Sequence, residues 1–124
     1  MTDDEQLLAA NEAFYRAFNQ RDIGAMDVIW SHSSPVTCIH PGWNLLTGRI
    51  EVLMSWEAIL SNPDNSRLIA GGATAHIHGD CSYVICRELS GGSALLATNV
   101  FVREDGRWRM THHQSGPVAI QSVS

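Results

Sequence analysis

The chain has 124 residues, 44% of them apolar and 17% charged, with a net charge of −5. That length suits one domain with a substantial core, and no run reaches the roughly 18 apolar residues of a membrane span. The negative balance lacks the cationic footprint of nucleic-acid binding, and because all eight basic residues are arginine, no lysine can serve as Schiff base or general base.

The acidic, amphipathic N-terminus does not read as a secretory signal. Thr2-Asp3-Asp4-Glu5 has the form of a capping box and opens a helix. In it Leu7, Asn11, Phe14, Tyr15 and Phe18 recur at helical spacing until Asn19-Gln20. Asp22 can cap a short second helix with Met26, Ile29 and Trp30 on one face. Residues 31–35 read as a loop and residues 36–40 as a short strand, stopped by Pro41-Gly42. Leu45-Leu46 offers a second short strand. Thr47-Gly48 introduces a third helix with Val52, Leu53, Trp56, Ile59 and Leu60 on one face, ended by residues 61–65. The remainder is strand-like: residues 67–78, 82–89, 95–103 and 107–114, turned at Gly79-Asp80, Ser90-Gly91-Gly92 and Glu104-Asp105-Gly106. Asp-Gly between such runs is a strong hairpin signal.

Helices first and a meander last predict an α+β fold. Three N-terminal helices would pack in a curved antiparallel sheet of four long strands plus one or two short ones. Such a sheet encloses a cone, and the cone is a natural pocket.

Phe18-Asn19-Gln20-Arg21-Asp22, Cys38-Ile39-His40-Pro41-Gly42 with Gly48 after it, and residues 106–113 carry a resemblance to a known family. Over nearly its whole length the chain resembles the nuclear transport factor 2-like superfamily, the cone-shaped α+β fold of SnoaL-like proteins and ketosteroid isomerases. The resemblance implies one SnoaL-like domain over residues 1–124. It does not choose a reaction, because this fold hosts isomerases, dehydratases, cyclases and non-catalytic binders. In the isomerases an Asp followed by Pro is the general base, and here His40-Pro41 stands in that place. Their protonated Asp on the penultimate strand matches Asn99, and their helix-one Tyr matches Phe14, beside Tyr15.

These positions define the candidate site. His40 is the expected general base, since a histidine titrates near neutral pH. An amide at Asn99 can donate to a developing oxyanion, or bond across the sheet. Of His112 and His113, alternation allows one to face the cone. A two-residue Asp105-Gly106 loop pairs Asn99 with His112, whereas a three-residue loop with a bulge puts Asn99 on one face with His113. Tyr15, Trp43 and Trp56 are expected to line the pocket, with core packing the competing role for Trp56. Glu88 is either a pocket acid or a solvated, cross-strand-paired carboxylate. His76-x-His78 lacks the accompanying ligands of a zinc site, so no metal is expected. Cofactor-independent proton transfer fits the fold, and no cofactor is expected. Cys38, Cys81 and Cys86 read as reduced thiols of a cytoplasmic protein.

Two functions follow from this. One is a pocket for a small apolar organic ligand, with isomerase, dehydratase or cyclase chemistry. The other is a non-catalytic ligand-binding or association module that forms a homodimer through the outer sheet face, near Thr98, Val100 and Val102. Neither has a nucleic-acid or membrane partner.

Overall fold

A computed structural model describes residues 1–118. Helix α1 spans Asp3–Asn19, with Thr2 and Glu5 closing the capping box. Asp22 caps α2, Ile23–Ile29, and α3 spans Arg49–Ser61. Six strands follow the same chain order: β1 Thr37–Ile39, β2 Leu46–Thr47, β3 Ile69–His76, β4 Cys81–Ser90, β5 Ser93–Glu104 and β6 Arg107–Pro117. They form one sheet in the order β2-β1-β6-β5-β4-β3.

The sheet differs from the expected one in a single respect. It is mixed, because β1 runs parallel to β6, pairing Thr37 with His112 and Cys38 with His113. The helical segment between β1 and the meander is long enough to bring β1 alongside β6 in either direction. The four long strands are antiparallel, as the meander predicted.

The three helices cover one face of the sheet. Leu7, Phe14, Met26, Trp30, Phe101 and Met110 fill the core between them, each no more than 1% exposed. Two arginines tie the layers together through backbone carbonyls. Arg49 donates to the carbonyls of Trp30 and Ser31 just beyond α2. Arg21 donates to the carbonyls of Leu60, Asn62 and Asn65, and so anchors the loop after α3. Met54 is 66% exposed and points away from the cone rather than filling it.

The β5–β6 hairpin decides the interior. Asp105 and Gly106 form a two-residue loop with φ of 54° and 75°, the paired positive values of a tight hairpin turn that glycine adopts without strain. Glu104 and Arg107 close it. Taken alone, that loop would pair Asn99 with His112. The register then slips: Phe101 faces Met110 but Val100 faces His112, which leaves Thr111 as an extra residue on β6. Below this bulge Asn99 pairs with His113. One inserted residue exchanges the two faces of the strand. Trp108 and Met110 are therefore buried above the bulge, and His113 and Ser115 below it.

Candidate functional site

A cavity of about 720 Å³ opens between α1, α3 and the concave side of the sheet. Phe14, Phe18, Trp43, Trp56, Leu68 and Leu95 give it apolar walls, while Asn62, Asp64, Ser66 and Ser93 stand at its exposed side. Three titratable side chains that line it are buried: His40, Glu88 and His113, each 2–3% exposed. No arginine is among the described lining residues.

His40 follows β1, where Pro41 ends the strand. Its ring packs edge-on against Trp43 and Trp56, with centroids 4.8 and 4.6 Å away. Nε2 lies 2.8 Å from Ser55 Oγ, and that hydroxyl donates its own proton to the Val52 carbonyl at 2.6 Å. Ser55 must then accept, so His40 carries its proton on Nε2 and keeps the lone pair on Nδ1. Burial lowers its pKa from 6.5 to about 4. The imidazole is neutral at neutral pH, so its lone pair is free, but burial makes it a weaker base than the neutral-titrating histidine expected from the sequence.

His113 is oriented from behind by amides. Its Nδ1 lies 2.6 Å from Asn99 Oδ1. The Asn99 amide nitrogen donates to Asn11 Oδ1 at 2.8 Å and to Tyr15 OH at 3.1 Å. With both its donors spent, Asn99 presents an acceptor to His113, so the proton sits on Nδ1 and the lone pair on Nε2. Burial first, then the neighbouring His40 and His112, lowers the His113 pKa to about 3.

Glu88 Oε2 accepts from Tyr15 OH at 2.6 Å and lies 3.9 Å from His113 Nε2. Burial raises the Glu88 pKa above its ordinary value, and the hydroxyls of Tyr15 and Ser115 only partly oppose this. Tyr15 itself is pushed up by burial and by Glu88, and the Cys86 thiol completes the network by donating to Tyr15 OH at 3.3 Å.

The structure thus gathers His40, His113, Glu88, Trp43 and Trp56 on one cavity. It sets Asn99 and Tyr15 one layer behind, as supports. Asn99, 0% exposed and with its amide fully engaged, has no donor left for an oxyanion. His112 lies outside the cavity, because the bulge turns it toward Thr37 Oγ1 at 2.7 Å and Gln114 Oε1 at 3.2 Å. Of the two alternatives for Glu88, the solvated carboxylate is not what forms, since β4 alternation points Arg87 out and Glu88 in. His76 and His78 stack on Tyr83 at 4.7 and 5.5 Å. Sequence reasoning assigned no role to Asn11 or Ser55. For Asn11 a signal existed: one amide interrupts an otherwise apolar helical stripe.

A cone-shaped α+β fold with a polar-floored interior defines the class, and residues 7–120 match the profile of the SnoaL-like domain. The chain belongs to the SnoaL-like domain family. A solved protein of the NTF2-like family from Streptomyces avermitilis, provisionally described as a dehydratase, is 34% identical. The two superpose with a TM-score of 0.86 over 95% of this chain and 97% of that one. A solved protein from Thiobacillus denitrificans, provisionally named a calcium/calmodulin-dependent protein kinase type II association domain, is 32% identical, with a TM-score of 0.80 over 90% and 94% of the two chains. Among curated proteins, the F-box protein SKIP8 of Arabidopsis thaliana is 29% identical over 116 residues, 92% of this chain. The chain spans about half, 50%, of that relative's length. No helix of the described residues is long and apolar enough to cross a membrane.

Proposed function

We propose that the cavity binds a small, largely apolar organic molecule and performs cofactor-independent proton transfer on it, of isomerase, dehydratase or cyclase type. One observation carries this reading: two neutral imidazoles and a buried carboxyl converge on one aromatic-walled cavity. Buried titratable groups with strongly shifted pKa values are costly to keep, and they cluster where chemistry is done. His40 Nδ1 and His113 Nε2 are the candidate bases. Asn99 positions His113, Tyr15 holds Glu88, and Trp43 and Trp56 grip the ligand beside His40. The provisional dehydratase description of the Streptomyces relative supports the same chemistry. The domain would comprise residues 1–124, and its three free thiols suit a cytoplasmic setting.

A thermal-shift screen of aromatic, polyketide-like and steroid-like compounds tests this on wild type and His40→Ala. Hits are expected to stabilise both proteins. Turnover of those hits is expected to fall by about 10²–10⁴-fold in the variant, the usual worth of a positioned base. A screen in which nothing stabilises either protein overturns the pocket reading.

The relative named as an association domain favours a second reading, a homodimeric module. The outer sheet face supports it: Thr98, Val100 and Val102 are half-buried there, and Leu96 is 49% exposed. Sedimentation equilibrium is expected to show a wild-type dimer that Val100→Arg converts to monomer. A wild-type monomer at micromolar concentration would remove this reading.

A further inference from the structure

The hydrogen-bonding capacity of the cavity floor is already divided among buried partners, and the remainder has a definite shape. His113 spends its only N–H on Asn99, so its free Nε2 is an acceptor alone. Glu88 has the opposite character. It is 2% exposed and faces no cation among the described residues that line the cavity. The titratable groups packed around it are Tyr15 from α1, Cys38 from β1, Cys86 from β4 and His113 from β6, with His40 across the cavity. Burial keeps each of them in its neutral form at neutral pH: the phenol and both thiols are pushed up, and both imidazoles down. A buried carboxylate with no opposing charge takes up a proton. Oε2, the oxygen nearest His113, accepts from Tyr15, and with the acid proton on that same oxygen it also presents an O–H donor toward His113.

The separation of the two groups matters as much as their character. At 3.9 Å, His113 Nε2 and Glu88 Oε2 are too far apart to bond directly. One oxygen seated across them can bond to both at about 2.8 Å. A carbonyl or enolate oxygen has only lone pairs and needs two donors. A hydroxyl offers one proton and accepts another, and so needs one donor and one acceptor.

Resting on the pocket reading above, we propose that Glu88 and His113 form a hydroxyl-recognition pair, so that the ligand is an uncharged alcohol or phenol on an apolar ring framework. The hydroxyl donates to His113 Nε2 and accepts from the Glu88 acid. The framework lies against Phe14 and Trp56, whose ring centroids are 5.4 Å apart. A carboxylate or phosphate is rejected, since no arginine among the described lining residues would meet it.

Indanol, indanone and indane share one apolar bicyclic frame and differ only at the oxygen, which makes them direct probes. Calorimetric titration at neutral pH is expected to show indanol binding about tenfold tighter than indanone, the worth of one buried hydrogen bond. His113→Phe erases that preference, whereas Glu88→Ala weakens both oxygenated ligands and keeps it, so the two variants report on the two partners separately. Glu88→Gln retains an N–H donor. It is expected to keep the preference and to abolish the weakening that wild type shows as pH rises past the Glu88 pKa. Indanone binding as tightly as indanol, or more tightly, overturns the proposal. Indane and indanol binding alike also overturns it, while leaving the pocket reading intact. Failure of all three, indane included, removes the pocket reading and this proposal together.

Discussion

Asn99→Leu is expected to lower folding stability by about 2–6 kcal/mol, because it strands two buried polar groups at about 1–3 kcal/mol each. The measurement is a fall in the urea midpoint at unchanged slope. The groups are identifiable. Asn11 Oδ1 loses its donor and His113 Nδ1–H loses its acceptor. Tyr15 is spared, since it still donates to Glu88 and accepts from Cys86. Leucine keeps the branched outline of asparagine and leaves no cavity, so the loss reads the stranded hydrogen bonds together with mild overpacking. Asn99→Asp separates the role of the acceptor from that of the donor. A carboxylate at this position still accepts from His113 Nδ1 but adds a negative charge, which favours imidazolium. His113 is then expected to titrate well above about 3 by NMR. A loss below about 1 kcal/mol in Asn99→Leu would mean the network contributes no more than an exposed hydrogen bond does.

The second large effect is acid lability. His40 and His113 have folded-state pKa values of about 4 and about 3, against 6.5 when unfolded. Between those limits the unfolded chain binds more protons than the folded one, so stability rises with pH and falls as pH drops. The contribution is complete above pH 6.5 and declines from there toward about pH 4. A tenfold loss of proton affinity on folding corresponds to about 1.4 kcal/mol, so His40 alone is worth about 3 kcal/mol and His113 about as much or more. Glu88 acts in the opposite sense. Its raised pKa gives stability that is present on the acid side and is lost as pH rises through that value. Two histidines against one carboxyl leave a net loss on acidification. Chemical denaturation between pH 7 and 4.5 is expected to show it, with a shallower slope for His40→Gln and a steeper one for Glu88→Gln. A flat wild-type profile would mean that the imidazoles are not held neutral.

The parts of this structure that are legible in the sequence are those that local chemistry decides. The capping box at Thr2, the Asp22 cap, the Asp105-Gly106 turn and the Pro41-Gly42 stop each act within a few residues. His40 is legible for the same reason, as the last residue before a turn at the mouth of a cone. The bulge at Thr111 is not. Nothing in Thr111-His112-His113 marks an inserted residue, and its place is chosen by which side chains pack inward on β5. The parallel run of β1 beside β6 is likewise a long-range pairing of a three-residue strand. The role of Asn99 is hidden by distance, since its amide partner Asn11 lies 88 residues away in the chain. Ser55 is hidden by its modest size, one hydroxyl beside Trp56 on a helix whose other inward residues are apolar.

The bulge has a consequence for how this pocket changes over generations. A slip of one residue along a strand normally replaces every inward group with its outward neighbour. Here the neighbour of the inward histidine is another histidine. A lineage that lost Thr111 would keep His113 inward, and one in which the strand slipped past the bulge would exchange His113 for His112 and still present an imidazole to the interior. The tandem pair makes that wall tolerant of insertion and deletion, so its length can drift while the chemistry offered to a ligand stays the same.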